Sequence, residues 1–257
     1  MSYADLKGKT YIITGASSGM GRTTALLLAQ QGANVGLLDL NKPDHVLEEI
    51  EKAGGKAISL ACDVTNREMV DETVRTVADR YGQLDGTANM AGYVGNQGFF
   101  GTGYALDVLY DKDWDLLIDI NLNGTKNCLR AELNHMKGSG SIVNITSIAG
   151  QNGPPYNSPY AVAKWGVIGL TKSAAQESGK RNIRVNAVAP GTVETPLVAS
   201  LGDEKQLYHM LLSKTALKRI AKPEEVSRVI LFLLSDQSSY MTASVLNVDA
   251  GWSGMVA

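Results

Sequence analysis

A tyrosine and a lysine lie four residues apart in the stretch NSPYAVAKWG. Ser158 and Pro159 are typical of a helix start, with Ser158 as the N-cap and Pro159 as the first helical residue. Tyr160 then falls in the first turn and Lys164 one turn later, so the two side chains share one helix face. The same spacing occurs once more near the N-terminus, so the spacing alone is weak support for a site.

A phenol beside an ammonium can act as an acid and base. The phenol has an ordinary pKa of about 10, and it must lose roughly 3 units, or about 4 kcal/mol, to act as a base near neutrality. One ammonium about 4 Å away supplies roughly 4 kcal/mol at an effective dielectric near 20. The positive end of the helix adds to this effect. We therefore predict that Lys164 lowers the pKa of Tyr160, and that Ser147 donates a hydrogen bond to the substrate oxygen.

A glycine-rich turn, TGASSGMG, lies between the first predicted strand and helix. Glycine allows a tight turn and lets backbone N–H groups approach a pyrophosphate at a helix N-terminus, where the dipole favours anions. The order of strand, turn and helix is the one that dinucleotide binding requires. The predicted cofactor contacts here are Gly15, Ser17, Ser18, Gly19, Met20 and Gly21.

An acidic residue ends the second predicted strand. Asp39 lies eighteen residues after Gly21, where a carboxylate accepts hydrogen bonds from an adenosine ribose. The same charge repels a 2′-phosphate, and the next two residues, Leu40 and Asn41, carry no positive charge. The cofactor is therefore predicted to be NAD rather than NADP, although Arg22 complicates that preference.

Short apolar runs alternate with longer amphipathic runs along the whole chain. Strands separated by helices predict βαβ units and a parallel sheet covered on both faces. The predicted fold is α/β, a Rossmann-like doubly wound parallel sheet of about seven strands, in a single domain over residues 1–257. Helices are predicted at about 43–53, 66–81 and 113–136, from Ser158, and from Pro223 to about Leu234.

The composition excludes several classes of function. The chain has 257 residues, a net charge of −2 and a pI of about 5.9, so we expect no nucleic-acid partner. No apolar run approaches the roughly 20 residues of a membrane span, and we expect no membrane partner and a cytoplasmic location.

The cysteines and histidines show no spacing that is typical of a metal site. Cys62 and Cys128 lack metal-ligand spacing and are expected to be buried, reduced thiols. His45, His135 and His209 form no HExxH or comparable cluster. No metal is therefore predicted.

These motifs together resemble the short-chain dehydrogenase/reductase family, over nearly the whole chain. The resemblance is carried by the glycine-rich turn, the stretch NMAG, Ser147, the Tyr160 and Lys164 pair, and the dipeptide PG. It implies that Tyr160 is the general acid/base and that Lys164 lowers its pKa and holds the nicotinamide ribose. It also implies that Ser147 positions the substrate oxygen and that Asn121 supports a proton-relay water.

The resemblance carries further positions with less weight. It places Asp63 and Val64 at the adenine, although an aspartate there is equally a turn residue. It implies nicotinamide-carboxamide contacts after the PG dipeptide. Met90 departs from the family's second asparagine, which puts a polar role there in doubt. Ala243 and Ala250 replace frequent family glycines, a change interpreted as packing. The remaining implied cofactor contacts are Asn89, Ala91, Gly92, Pro190, Gly191, Val193 and Thr195.

The leading hypothesis is an oxidoreductase that moves hydride between NAD(H) and a secondary alcohol or ketone. A nucleotide-binding regulator without chemistry is a second class, but it is disfavoured because Tyr160, Lys164 and Ser147 are all present. An isomerase or dehydratase that reduces NAD transiently is a third. The alternative for the substrate is a carrier-bound 3-oxoacyl group, although the reductases that act on such groups usually take NADP.

Three segments are expected to bound the substrate, namely the loop at about 93–112, the segment after Ser147 and the irregular loop at about 192–222, because ligands bind beyond the carboxyl ends of the strands. Phe99 and Phe100 fall in the first loop. They indicate either an apolar or aromatic substrate, which could be bulky, or a loop packed against a neighbouring subunit. The family resemblance implies a homotetramer.

Overall fold

The computed structural model describes residues 3–96, 104–199 and 211–253. Its centre is one sheet of seven parallel strands in the order β3-β2-β1-β4-β5-β6-β7. The doubly wound sheet and the single domain predicted from the sequence are confirmed. The strands are β1 Thr10–Thr14, β2 Asn34–Asp39, β3 Lys56–Ala61, β4 Gly86–Asn89, β5 Gly140–Ile145, β6 Ile183–Pro190 and β7 Val245–Val248.

Helices cover both faces of the sheet. The helices are α1 Gly19–Gln30, α2 Asp44–Lys52, α3 Arg67–Tyr81, α4 Asp111–Ile118, α5 Gly124–His135, α6 Ser158–Ser178, the short α7 Pro196–Ala199 and α8 Pro223–Leu234. Along β1, Tyr11 and Ile13 belong to one buried core and Ile12 to a second. This alternation separates a core under α1, α2 and α8 from one under α3, α5 and α6.

The helix predicted over 113–136 is one helical path with a change of winding inside it. A π-helical turn, Asp119–Asn123, joins α4 to α5. Such turns often mark functional positions, and this one contains Asn121, which is fully buried.

The predicted start of α6 was wrong by one residue. The N-cap is Asn157, because its carbonyl already accepts the first helical hydrogen bond, from the N–H of Ala161 at 3.0 Å. Ser158 is therefore the first helical residue and makes no capping hydrogen bond. Tyr160 still lies in the first turn, so the pairing with Lys164 is unaffected.

Two alanines near the C-terminus adopt backbone conformations that favour glycine. Ala243 has φ of 58° and Ala250 has φ of 57°, in the left-handed region that a Cβ disfavours. Ala243 does pack against the second buried core, but the interpretation of a packing change left out the cost of the backbone conformation at both positions.

Further expectations from the sequence concern membrane spans, metal ions, cysteines and the substrate loops. Among the described residues no helix is long and apolar enough to span a membrane, and no group of side chains there could hold a metal ion. Cys62 and Cys128 are buried free thiols. The described residues do not include Phe99 and Phe100. They also leave out 200–210, the central part of the predicted substrate loop at 192–222.

Candidate active site

The glycine-rich turn after β1 is a cradle that only glycine can form. Gly15 and Gly19 have φ of 70° and 51°, which glycine adopts without steric cost. A Cβ on Gly21 would lie 2.0 Å from the carbonyl oxygen of Gly15. A Cβ on Gly15 would lie 2.9 Å from the backbone of Ala91. The turn therefore brings bare backbone to the N-terminus of α1, as phosphate binding requires.

A cleft of about 1090 Å³ opens above this cradle, and we call it the nucleotide cleft. It runs from the cradle past Asp39 to the ends of β3 and β4. Its lining includes the predicted residues Gly15, Ser18, Gly19, Met20, Gly21, Asp39, Asp63, Val64, Ala91, Gly92 and Thr195. These residues come from five separate segments, so the fold assembles most of the predicted cofactor set.

Asp39 faces this cleft with its carboxylate already oriented. One oxygen accepts from the N–H of Ser17 at 2.9 Å and the other from the N–H of Leu40 at 2.8 Å. Arg22, which complicated the cofactor prediction, pairs with Glu49 through two hydrogen bonds from its guanidinium. The positive charge nearest the cradle in sequence is therefore engaged by a carboxylate.

A second cleft, also of about 1090 Å³, adjoins the first, and we call it the reaction cleft. The two clefts share lining residues, among them Met20, Gly92, Tyr93 and Thr195. The reaction cleft is also lined by the predicted residues Ser147, Tyr160, Lys164, Pro190, Gly191 and Val193. A ligand in one cleft would therefore meet a ligand in the other.

Ser147, Tyr160 and Lys164 meet in the reaction cleft. Ser147 lies two residues past the end of β5, and its Oγ accepts from the N–H of Ala149 at 3.1 Å. The Lys164 ammonium lies 5.5 Å from the centroid of the Tyr160 ring. It donates to the carbonyl of Ile145 at 3.2 Å. The end of β5 thus holds both the serine and the lysine against the tyrosine.

The sequence argument predicted a lowered pKa for Tyr160, and the structure contradicts this net direction. Burial raises the pKa of Tyr160 to about 12, and the hydrogen bond with Ser147 only partly opposes this. Burial also lowers the pKa of Lys164 to about 8. The sequence argument counted the attraction of the ammonium but not the cost of removing both charges from water, and that cost dominates here.

Asn121 lies beside this cluster with its side chain engaged. Its Nδ2 donates to the carbonyls of Tyr93 at 2.7 Å and Leu117 at 2.9 Å, and its Oδ1 accepts from the N–H of Tyr93 at 3.1 Å. A Cβ on Gly92 would lie 3.0 Å from Asn121 Oδ1 and 3.5 Å from Lys164 Nζ. Asn121 therefore fixes the loop after β4 next to Lys164.

Three predicted cofactor residues have other contacts. Asn89 is buried and donates to Glu132 at 3.0 Å and to Asn144 at 2.9 Å, and it lines neither cleft. Asp63 accepts from the N–H and the hydroxyl of Thr65, so it forms a turn as well as lining the nucleotide cleft. Ser17 contributes its N–H to Asp39.

Sequence reasoning missed Trp252, which lines the reaction cleft although it lies far from Tyr160 in the sequence. Leu211 also lines this cleft, and it falls in the predicted substrate loop at 192–222. No motif surrounds Trp252. Trp252 is one of only three tryptophans in the chain, and that rarity was the one available signal.

A seven-stranded parallel sheet, a glycine cradle and a tyrosine and lysine at the meeting of two clefts define a nicotinamide-dependent oxidoreductase. A family model described as "Enoyl-(Acyl carrier protein) reductase" matches residues 15–253. The chain is 43% identical to the 3-oxoacyl-(acyl-carrier-protein) reductase FabG of Thermotoga maritima over 251 residues, covering 96% of this chain and 98% of that protein.

Solved structures agree with the sequence match. Levodione reductase superposes with a TM-score of 0.89 at 33% identity, covering 97% of this chain and 99% of that one. A structure from Agrobacterium tumefaciens with bound NADP gives a TM-score of 0.88 at 29% identity, covering 99% of this chain and 100% of that one. The chain belongs to the short-chain dehydrogenase/reductase family.

Proposed function

We propose that the protein transfers hydride between NAD(H) and a secondary alcohol or ketone, with Tyr160 as the general acid/base. One observation carries the proposal. Ser147, Tyr160 and Lys164 meet in the reaction cleft, and the reaction cleft adjoins the nucleotide cleft. Here Ser147 can donate a hydrogen bond, Tyr160 can transfer a proton and Lys164 supplies a positive charge. These three properties suit a reaction at a carbonyl oxygen, because the charge on that oxygen changes during the reaction.

The cradle fits a dinucleotide, since the contacts of Gly15 and Gly21 leave no room for a side chain. Backbone N–H groups at the start of α1 would hold the pyrophosphate, and Asp39 the adenosine ribose. Lys164 would hold the nicotinamide ribose, with Val193 and Thr195 at the carboxamide. When bound, the nicotinamide supplies or accepts the hydride.

The chain's own residues handle the proton. In ketone reduction the Tyr160 phenol gives its proton to the carbonyl oxygen, and in alcohol oxidation the phenolate takes it back. Because burial raises the pKa of Tyr160 to about 12, the phenol stays protonated at neutral pH, which is the form that reduction needs. Ser147 positions the same oxygen, and the Lys164 charge opposes the cost of forming the phenolate.

Asp39 supports a preference for NAD. Its carboxylate faces the nucleotide cleft, and Glu49 engages Arg22, which would otherwise be available to a 2′-phosphate. A relative with NADP bound makes NADP the competing cofactor. The test is kcat/KM with NADH and NADPH for wild type and Glu49→Gln. Releasing Arg22 should raise the efficiency with NADPH and leave that with NADH nearly unchanged.

A carrier-bound 3-oxoacyl thioester is the second candidate substrate, favoured by the name of the Thermotoga relative. Acetoacetyl-coenzyme A tests this class directly. Turnover of the thioester with NADPH, at far higher kcat/KM than any simple ketone, would favour this candidate over the first.

A homo-oligomer is the proposed assembly. Val162 and Trp165 are exposed apolar residues on α6, and a Cβ on Gly169 would meet nothing. They lie at spacings of three and four, so they share one helix face on which a second copy of α6 could pack closely. Light scattering of wild type and Trp165→Glu tests this, with a smaller species expected for the variant. The cytoplasmic location stays a prediction.

The central experiment is a panel of ketones and secondary alcohols assayed with both cofactors. Wild type should turn over members of the panel, and Tyr160→Phe should not. Tyr156→Phe is a matched control, since Tyr156 lies four residues upstream and is exposed. Equal activity of the two variants would contradict the assignment of Tyr160.

A further inference from the structure

The reaction cleft has an apolar wall on the side of Tyr160. Val94 and Leu211 are buried there, and Tyr160 and Trp252 pack against them. The four residues come from four separate parts of the chain and line one cleft. The wall therefore combines two aromatic rings with branched aliphatic side chains, next to the tyrosine that would carry the proton.

Trp252 lies in a turn at 249–253, which we call the C-terminal hook. Asp249 fastens this hook from inside. One carboxylate oxygen accepts from the N–H of Gly251 at 3.0 Å, and the other accepts from the N–H and hydroxyl of Ser253 at 2.8 and 2.5 Å. The residue between these two donors is Trp252, so its backbone position is fixed by the aspartate.

The C-terminal hook is also fastened to its surroundings. The carbonyl of Ala250 accepts from the N–H of Ala216 at 2.8 Å, beyond Leu211 in the sequence. Asn247 donates to the hydroxyl of Ser253 at 2.6 Å and exchanges two hydrogen bonds with Gln151. Gln151 lies four residues after Ser147, so the hook is tied to both sides of the reaction cleft.

A cation lies on the indole. Lys214 Nζ is 5.8 Å from the centroid of the Trp252 ring, a contact that favours one ring orientation. Within the described parts of the chain no carboxylate pairs with Lys214. The hook and this cation thus hold the indole in place before a ligand arrives, and binding need not order it.

We propose that Trp252 is a specificity-determining residue that selects substrates with an apolar ring attached to the carbonyl or carbinol carbon, and that Asp249 is the positioning residue behind it. A flat, rigid ring loses little conformational freedom on binding and stacks on or against aromatic side chains. The inference rests on the proposed function, because it takes the reaction cleft to be the substrate site.

The test compares a ring substrate with a small one. Methyl phenyl ketone and propan-2-one are assayed with wild type, Trp252→Ala, Trp252→Phe, Asp249→Ala and Asp249→Asn. Tyr240→Ala is the control that removes a fully exposed aromatic residue from the same region. Binding of both ketones to Tyr160→Phe protein, with and without Trp252→Ala, is measured by calorimetry with reduced cofactor present.

Trp252→Ala should raise KM for the phenyl ketone by about tenfold or more and change its kcat little, since aromatic contacts and ring burial contribute to binding rather than to proton transfer. KM for propan-2-one should stay within about twofold. Trp252→Phe should restore most of the difference in KM between the phenyl ketone and propan-2-one. Asp249→Ala should reproduce the effect of Trp252→Ala in part, and Asp249→Asn should change KM less than Asp249→Ala does, because its single amide oxygen can still accept on one of the two sides.

The calorimetry separates this inference from the proposed function. A phenyl preference in binding that disappears with Trp252→Ala supports the inference even if no ketone is turned over. Equal affinity of the two ketones for the Tyr160→Phe protein, or equal losses for both ketones in Trp252→Ala, would overturn it, whether or not the enzyme reduces ketones. Asp249 variants that alter thermal stability without moving KM would leave Asp249 no positioning role.

Discussion

Replacing the buried Glu132 tests the electrostatics of the core behind the site. Its side chain lies on α5 with no exposed surface. Asn89 donates to it at 3.0 Å, and Asn89 also donates to Asn144 on β5. Burial raises the pKa of Glu132 from its ordinary 4.5 to about 7, although the hydrogen bond from Asn89 opposes the rise.

The direction of the pH effect follows from this pKa. Between pH 4.5 and 7 the folded protein keeps a proton on Glu132 that the unfolded chain has lost, so stability falls as the pH rises through this range. The difference between the two pKa values corresponds to about 3 kcal/mol of unfolding free energy, lost in full above pH 7. Glu132→Gln resembles the protonated acid at every pH, so it should remove this loss.

Urea denaturation at pH 5 and pH 8, at one protein concentration, measures the effect. Glu132→Gln should be more stable than wild type by about 3 kcal/mol at pH 8, and much closer to it at pH 5. Glu177→Gln is the matched control, since Glu177 is exposed on α6. If Glu132→Gln changes stability equally at both pH values, the carboxylate is not the cause and the reasoning fails.

Five further variants test the site and the fold. Tyr160→Phe should lower kcat by about 100-fold or more with cofactor affinity retained, and a variant that keeps most of its kcat would contradict the acid/base role. Lys164→Ala should lose both rate and cofactor affinity, and an unchanged cofactor titration would remove its ribose contact. Asp39→Ala should weaken the binding of NAD and narrow the difference in kcat/KM between NAD and NADP. Adding Leu40→Arg should shift the preference further toward NADP. A wild type that prefers NADPH by kcat/KM would show that Asp39 was misinterpreted. Ala243→Gly should raise the free energy of unfolding by up to about 1 kcal/mol, because glycine adopts a positive φ without a Cβ clash, and thermal melting that shows a loss would contradict this.

The local features of this protein are readable in the sequence because they depend on near neighbours. The cradle requires glycine at fixed positions between a strand and a helix, and Tyr160 and Lys164 share a face through helix geometry alone. The alternation of apolar runs gave the parallel sheet for the same reason, since period and length are local properties. The predicted start of α6 was wrong by one residue, because two adjacent polar residues, Asn157 and Ser158, can both cap the start of a helix.

The sequence by itself determined the α/β fold, the cradle after β1 and the identity of Ser147, Tyr160 and Lys164, which meet at the reaction cleft. Only the tertiary structure decided how these groups are charged and what surrounds them. Burial reverses the expected pKa of Tyr160, Glu49 engages Arg22, and the C-terminal hook brings Trp252 to the tyrosine. Desolvation and long-range contacts depend on how distant segments pack, and no local pattern encodes them.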